Sequence, residues 1–218
     1  MESLDRRDFV DALLLALIAG CVDAVGFLQL GGFFVSFMSG NSTRLGLGIG
    51  SHFWQEAGLA AGLIATFVGG VALGCIAGRR LGWRRKSGLL LGQGLLLGLA
   101  GTFHHLGHPA AATLPMVLAM GMANAIFENG GDVRFGVTYM TGSLVRVGQR
   151  IAAVLDGGSR NAWRPYAALW MSLVVGAALG AAAWARNGGQ ILWLPAALLV
   201  LMAFNAWRAA APSSLRPR

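Results

Sequence analysis

Residues 35–46 read Val-Ser-Phe-Met-Ser-Gly-Asn-Ser-Thr-Arg-Leu-Gly, and residues 137–148 read Val-Thr-Tyr-Met-Thr-Gly-Ser-Leu-Val-Arg-Val-Gly. The shared pattern recurs 102 residues apart, and upstream of it Gly20-x-x-Asp23-Ala24 recurs as Gly121-x-x-Asn124-Ala125 at 101. Further on, Gly70-Val71-Ala72-Leu73-Gly74 is matched by Gly176-Ala177-Ala178-Leu179-Gly180. Self-similarity of this length makes the chain two copies of one architecture, residues 1–105 and 106–218, forming a single integral membrane domain.

Each copy holds four apolar segments, near 9–29, 34–50, 57–78 and 87–104, then 110–127, 136–153, 163–185 and 190–208. Several approach the roughly 20 residues that a helix needs to cross the hydrocarbon core. Of the 218 residues, 56% are hydrophobic and 12% charged, against about 25% charged in soluble domains. The first apolar run continues past Asp23 without a small-residue cleavage site, so it reads as a retained span and not a signal peptide. The net charge of +8 fits Lys/Arg-rich loops that orient spans better than it fits nucleic-acid binding. Cys21 and Cys75 fall inside apolar segments with no metal-type spacing, and read as small packing residues.

The second segment of each copy stands apart. Residues 35–50 carry Ser36, Ser39, Asn41, Ser42, Thr43 and Arg44 among their glycines. Polar or irregular backbone at membrane depth is tolerated only where it is buried in protein or lines a cavity. These segments are therefore expected to be re-entrant loops, or short extended stretches (Phe33–Phe37 and Phe135–Tyr139) feeding half-helices. Charge parity supports this. With six true spans, Arg6, Arg7, Arg79, Arg80, Arg84, Arg85, Lys86, Arg134, Arg150, Arg160, Arg164, Arg208, Arg216 and Arg218 share one side, and Arg186 alone lies opposite. With eight spans the same charges split 7 to 8, against the positive-inside rule. Three spans per copy invert the second copy relative to the first, as in many secondary transporters. The expected fold is an all-α membrane protein of six transmembrane helices in two inverted three-span repeats, both termini cytoplasmic.

In Met38-Ser39-Gly40-Asn41, Gly40 permits close backbone approach, and Ser39 or Asn41 is expected to cap a helix starting near Ser42. A buried helix start offers amide donors and partial positive charge, to which Arg44 adds a full one. Met140-Thr141-Gly142-Ser143 with Arg146 repeats the device. Ser36, Met38, Ser39, Gly40, Asn41, Arg44, Asn124, Thr138, Met140, Thr141, Gly142, Ser143 and Arg146 are thus the candidate solute-binding residues, set against a reading in which small residues merely pack helices. Asp23, an intramembrane carboxylate, is either a charge partner for Arg44 or Arg146 or a proton carrier. Glu128 and Asp132 read as a solvated turn. His52, His104, His105 and His108 lie on the outer side without the carboxylates or thiols of a metal site. Trp54, Trp83, Trp163, Trp193 and Trp207 sit near segment ends, as an interfacial belt would. Ser36 or Ser39 as a nucleophile lacks any His or Lys at its depth, and no Gly-Lys-[Ser/Thr] phosphate loop is present.

The run Gly20-Cys21-Val22-Asp23-Ala24-Val25-Gly26-Phe27, continuing through Gly31-Gly32 and Phe34-Val35-Ser36-Phe37-Met38-Ser39-Gly40-Asn41 to Thr43-Arg44 and Gly46, resembles the opening signature of the YoaK family, also grouped as domain of unknown function 1275. Gly121–Ala125 and Thr138–Gly142 are similar to its second half. The resemblance implies a six-span bacterial inner-membrane permease without an established substrate. Family members usually carry Gln before Asn-Ala and basic residues after it, where this chain has Ala123 and Ile126-Phe127-Glu128-Asn129.

The reading from sequence is a secondary transporter of a small anionic or polar solute, working by alternating access around a midplane site. A non-transporting membrane scaffold or sensor is the alternative, and an intramembrane enzyme ranks third. No cofactor or metal is expected. The partners are the bilayer, the solute and a second copy packed through Gly69, Gly70 and Gly74.

Overall fold

The computed structural model describes residues 6–126, 128–129, 132–133 and 140–210. It is all-helical apart from one two-residue ladder. The helices are α1 (Arg6–Gln29), α2 (Met38–Gly50), α3 (Trp54–Leu81), α4 (Arg85–His105), α5 (Pro109–Ala123), α6 (Met140–Leu155), α7 (Arg164–Asn187) and α8 (Trp193–Ala210). Strand β1 (Glu128–Asn129) pairs antiparallel with β2 (Asp132–Val133).

Three helical stretches, Arg6–Gln29, Trp54–His105 and Arg164–Ala210, are long and apolar enough to cross a membrane; Pro109–Ala123 is a shorter apolar helix. The second and third stretches are each broken by a 3-10 turn, Gly82–Arg84 and Gly188–Leu192. At both breaks a glycine adopts positive φ, 54° at Gly82 and 55° at Gly188. Only glycine takes this conformation without a Cβ penalty, so the helix stops there and the chain reverses.

Two close crossings hold the halves together. A Cβ on Gly20 of α1 would fall on the Leu173 carbonyl oxygen of α7, and one on Gly176 would fall on that of Leu17. Gly180 meets the Cys21 carbonyl, 2.6 Å from where its Cβ would stand. The α3–α5 crossing repeats this arrangement. There a Cβ on Gly70 would lie 2.5 Å from the Leu118 oxygen, Gly74 faces Met122, and Gly121 meets Phe67 and Val71. Leu17 and Cys21 correspond to Leu118 and Met122 at the 101-residue spacing, while Gly70 and Gly74 correspond to Gly176 and Gly180 at 106. The two crossings are therefore the same contact made twice. Removing side chains at the crossing lets backbones approach, which is how helices associate where water supplies no hydrophobic drive. Gly70 and Gly74, expected to face a second copy, are instead covered by α5 of the same chain, and Gly69 points into open space.

The order of these contacts fixes helix direction. Leu17 and Cys21 meet Gly176 and Gly180 in sequence, so α1 and α7 run parallel, as do α3 and α5. Gly94, Gly98 and Gly101 meet Val200, Ala196 and Trp193 in descending order, so α4 and α8 run antiparallel. At one end Lys86 bridges Asp8 and Asp11, 2.6 Å from each, which ties the start of α4 to the start of α1. At the other, Gln29 closes α1 onto α4 and α5. Its Nε2 donates to the Pro109 carbonyl (2.7 Å) and to Thr113 Oγ1 (3.0 Å), and its Oε1 meets His104 Nε2 at 2.7 Å. The core between these ends is built from Ile18, Val22, Leu90, Leu97, Met116, Met120 and Leu199.

Candidate functional site

The chain turns sharply after α1. Leu30 and Gly32 donate back to the Gly26 and Phe27 carbonyls, and residues 33–37 run irregularly back along the last turns of α1 until Val35 packs on Gly26. No strand forms there. Helix α2 then begins at Met38, not near Ser42, and Phe37 in the capping position makes no side-chain cap bond. The expected cap at Ser39 or Asn41 is absent because Asn41 is engaged elsewhere.

Two side chains satisfy the irregular backbone. Asp23 Oδ1 accepts from the Val35 and Ser36 amides at 2.8 and 2.9 Å, and its Oδ2 accepts from Ser36 Oγ at 2.9 Å. Asn41, fully buried, accepts from the Phe34 amide at 3.0 Å and donates to the Phe34 carbonyl at 2.7 Å, with Met38 Sδ at 3.6 Å from its Nδ2. Unpaired backbone groups away from water are costly, so an irregular stretch in an apolar setting needs partners of this kind. Asp23 meets none of the chain's described basic residues as an ion pair; its oxygens are spent on the segment it anchors.

The rest of the first motif surrounds this anchor. Phe27, Phe34 and Phe37 form a ring cluster with centroids 5.0 and 5.2 Å apart. A Cβ on Gly40 would lie 2.6 Å from Phe37 Cδ1, so that glycine is the price of the aromatic packing. Ser42 and Thr43 donate back to the Met38 and Ser39 carbonyls, and Ser39 is exposed. Arg44, half-buried, lays its guanidinium 4.7 Å from the Phe33 ring centroid and against Gly32.

The second motif follows the first in part. Thr138 lies outside the described residues. Met140 is buried against Ala12, Ala16 and Leu169. Ser143, the counterpart of Asn41, is likewise buried, while Thr141 is exposed and Gly142 half-buried. Arg146 stands 5.5 Å from the Tyr166 ring centroid, with Nη1 3.5 Å from the phenol oxygen. Asn124, the counterpart of Asp23, donates to the Met120 and Gly121 carbonyls of its own helix.

Arg44, half-buried, and Arg146, exposed, each lie over an aromatic face, and neither is paired with a carboxylate among the described residues. The motifs are not brought together: α2 packs on α3, α6 packs on α7, and no substantial packing joins α2 to α6. Sequence reasoning missed Gln93, which is fully buried in α4. Its Nε2 donates to the Ala119 carbonyl at 2.9 Å, and its Oε1 accepts nothing among the described residues. A lone amide in an apolar run was the available signal.

The chain matches the family described as Protein of unknown function (DUF1275) over residues 12–205. A UPF0700 transmembrane protein of Rhizobium meliloti (strain 1021) is 32% identical over 206 residues, spanning 93% of this chain and 89% of the relative. The likeness read from Gly20–Gly46 is borne out by these matches. No solved structure matches the chain.

Proposed function

The chain belongs to the DUF1275 family of proteins of unknown function, and from that premise we propose that it is a secondary transporter of a small anionic or polar solute in the bacterial inner membrane. The observation that carries the reading is the matched pair Arg44 and Arg146, two cations without carboxylate partners among the described residues, in equivalent places of a membrane chain. Ionisable groups at such positions are costly unless they do something.

The proposed frame is six spans in two inverted repeats, with both termini cytoplasmic. The parallel α1–α7 and α3–α5 crossings support it, because they make the third helix of each half run with the first helix of the other. The ends gathered by Lys86 and Arg85 are the arginine-rich ones, which suits a cytoplasmic face. In this frame α2 and α6 approach the bilayer from opposite sides, and the solute crosses by alternating access. No catalytic step, cofactor or nucleic-acid contact belongs to the proposal. A second copy of the chain remains a proposed partner, through a face other than Gly70–Gly74.

The second reading, a membrane scaffold or sensor, is favoured by one observation: Asp23 and Asn41 bond to their own segment. The deciding experiment is uptake of small carboxylate and phosphate anions into proteoliposomes. Uptake lost in both Arg44→Ala and Arg146→Ala supports transport at these sites. Uptake unchanged in both overturns it.

A further inference from the structure

Exchange of the two halves maps α1 onto α5 and α4 onto α8, so the α5–α4 contact and the α1–α8 contact are counterparts. They are not alike. Helix α5 packs closely along α4, through Gln93 against the Ala119 carbonyl and Gly92 against Met122 Sδ. Helix α1 only grazes α8, and a cavity of about 1480 Å³ opens between them at the arginine-rich end. Its lining includes Arg6, Asp8 and Arg208, and also Leu14 and Met202, about two turns in from the start of α1 and the end of α8. Lys86, on its wall, lies seven residues before Gln93 on the same face of α4, about 10 Å along the helix.

Two inverted copies that obey the same packing rules should make equivalent contacts at both ends. One contact open and its counterpart shut is the asymmetry that alternating access requires, since exchanging the two conformations opens the other side. Gln93 sits on α4, which packs on α8 as well as on α5. Its buried Oε1 has no donor among the described residues, a deficit that a packed core rarely tolerates and a bound hydrogen-bond donor removes.

We infer that the α1–α8 cavity is the inward mouth of the solute path, that the outward mouth lies between α5 and α4, and that Gln93 accepts a hydrogen bond from the solute between them. The solute then bears a hydroxyl or N–H donor in addition to its charged or polar group. This inference rests on the transport reading above.

The test is thiol accessibility in right-side-out and inside-out vesicles, in a background where Cys21 and Cys75 are replaced by alanine. The probe is an impermeant methanethiosulfonate. Leu14→Cys and Met202→Cys should label from the arginine-rich face at least tenfold faster than from the other. Leu97→Cys and Ala100→Cys, fully buried one to two turns beyond Gln93, should label slowly, and only from the opposite face. Variants that elute as the parent does on gel filtration are folded, and two positions guard against one failing. If Leu14→Cys labels but neither deep position reacts from either face, the cavity is static and the inference falls. Should Asn41→Cys and Ser143→Cys nonetheless label from opposite faces, transport stands without this path. If those are silent too, both readings fall.

Discussion

Asp23 offers the sharpest test of what the first motif is for. Asp23→Ala removes an acceptor of three hydrogen bonds and leaves the Val35 amide, the Ser36 amide and Ser36 Oγ without partners. Each buried unsatisfied group costs roughly 1–3 kcal/mol. The carboxylate's own desolvation is relieved at the same time, so the net loss should be about 3–6 kcal/mol. Asp23→Asn behaves differently. Its carbonyl oxygen still receives both amides, and Ser36 Oγ rotates to accept from the new NH₂. Only the extra strength of bonds to a charged acceptor goes, about 1 kcal/mol. At roughly 2–4 °C per kcal/mol for a chain of this size, thermal unfolding in detergent should fall by about 6–24 °C in the alanine variant. The asparagine variant should fall by about 3 °C. Equal shifts in the two would refute the anchoring role. Transport lost in Asp23→Asn despite near-parental stability would show that the carboxylate also carries a proton.

Gly176→Ala and Gly70→Ala should each lower stability by about 2–4 kcal/mol, because the new methyl meets a carbonyl across a crossing. Gly62→Ala, which meets nothing within 4 Å, should be neutral or slightly stabilising in the same melt. Gln93→Leu should raise the unfolding temperature, since it removes an unsatisfied acceptor, while abolishing uptake of any anion the parent carries; a drop in stability would show that Gln93 is a structural tie to Ala119. Gln29→Ala breaks the bonds that join α1 to α4 and α5, and should cost about 1–2 kcal/mol while speeding thiol labelling at Ala100→Cys.

Much of the frame was legible because the duplication repeats itself in chemistry. The motif spacing predicts the eight segments, and the observed helices begin and end within a few residues of them. Gly70–Gly74 and Gly176–Gly180 were visible as a match, but not as contacts, since the sequence does not say which helix lies across them. The expected second-copy face was thus taken by α5. The cap prediction at Ser39 and Asn41 failed because Asn side chains serve irregular backbone as readily as helix starts, and only the fold shows which is unpaired. For the same reason Asp23 was legible as costly, though not as the anchor of Val35 and Ser36. The α1–α8 cavity and the Gln93 acceptor arise from an inequality between the halves, which a repeat by its nature conceals.

The paired crossings bear on how such a chain is made. Each joins the first helix of one half to the third of the other, so neither half owns its best contact. In the proposed topology, a ribosome that has released only α1 to α4 places Gly20 and Gly70 in lipid, with neither the Leu173 nor the Leu118 carbonyl there to meet them. Integration of the helices and their assembly are therefore separate events, and assembly waits for α7. A gene cut between His105 and Pro109 should yield two fragments that insert singly but resist proteolysis only when co-expressed.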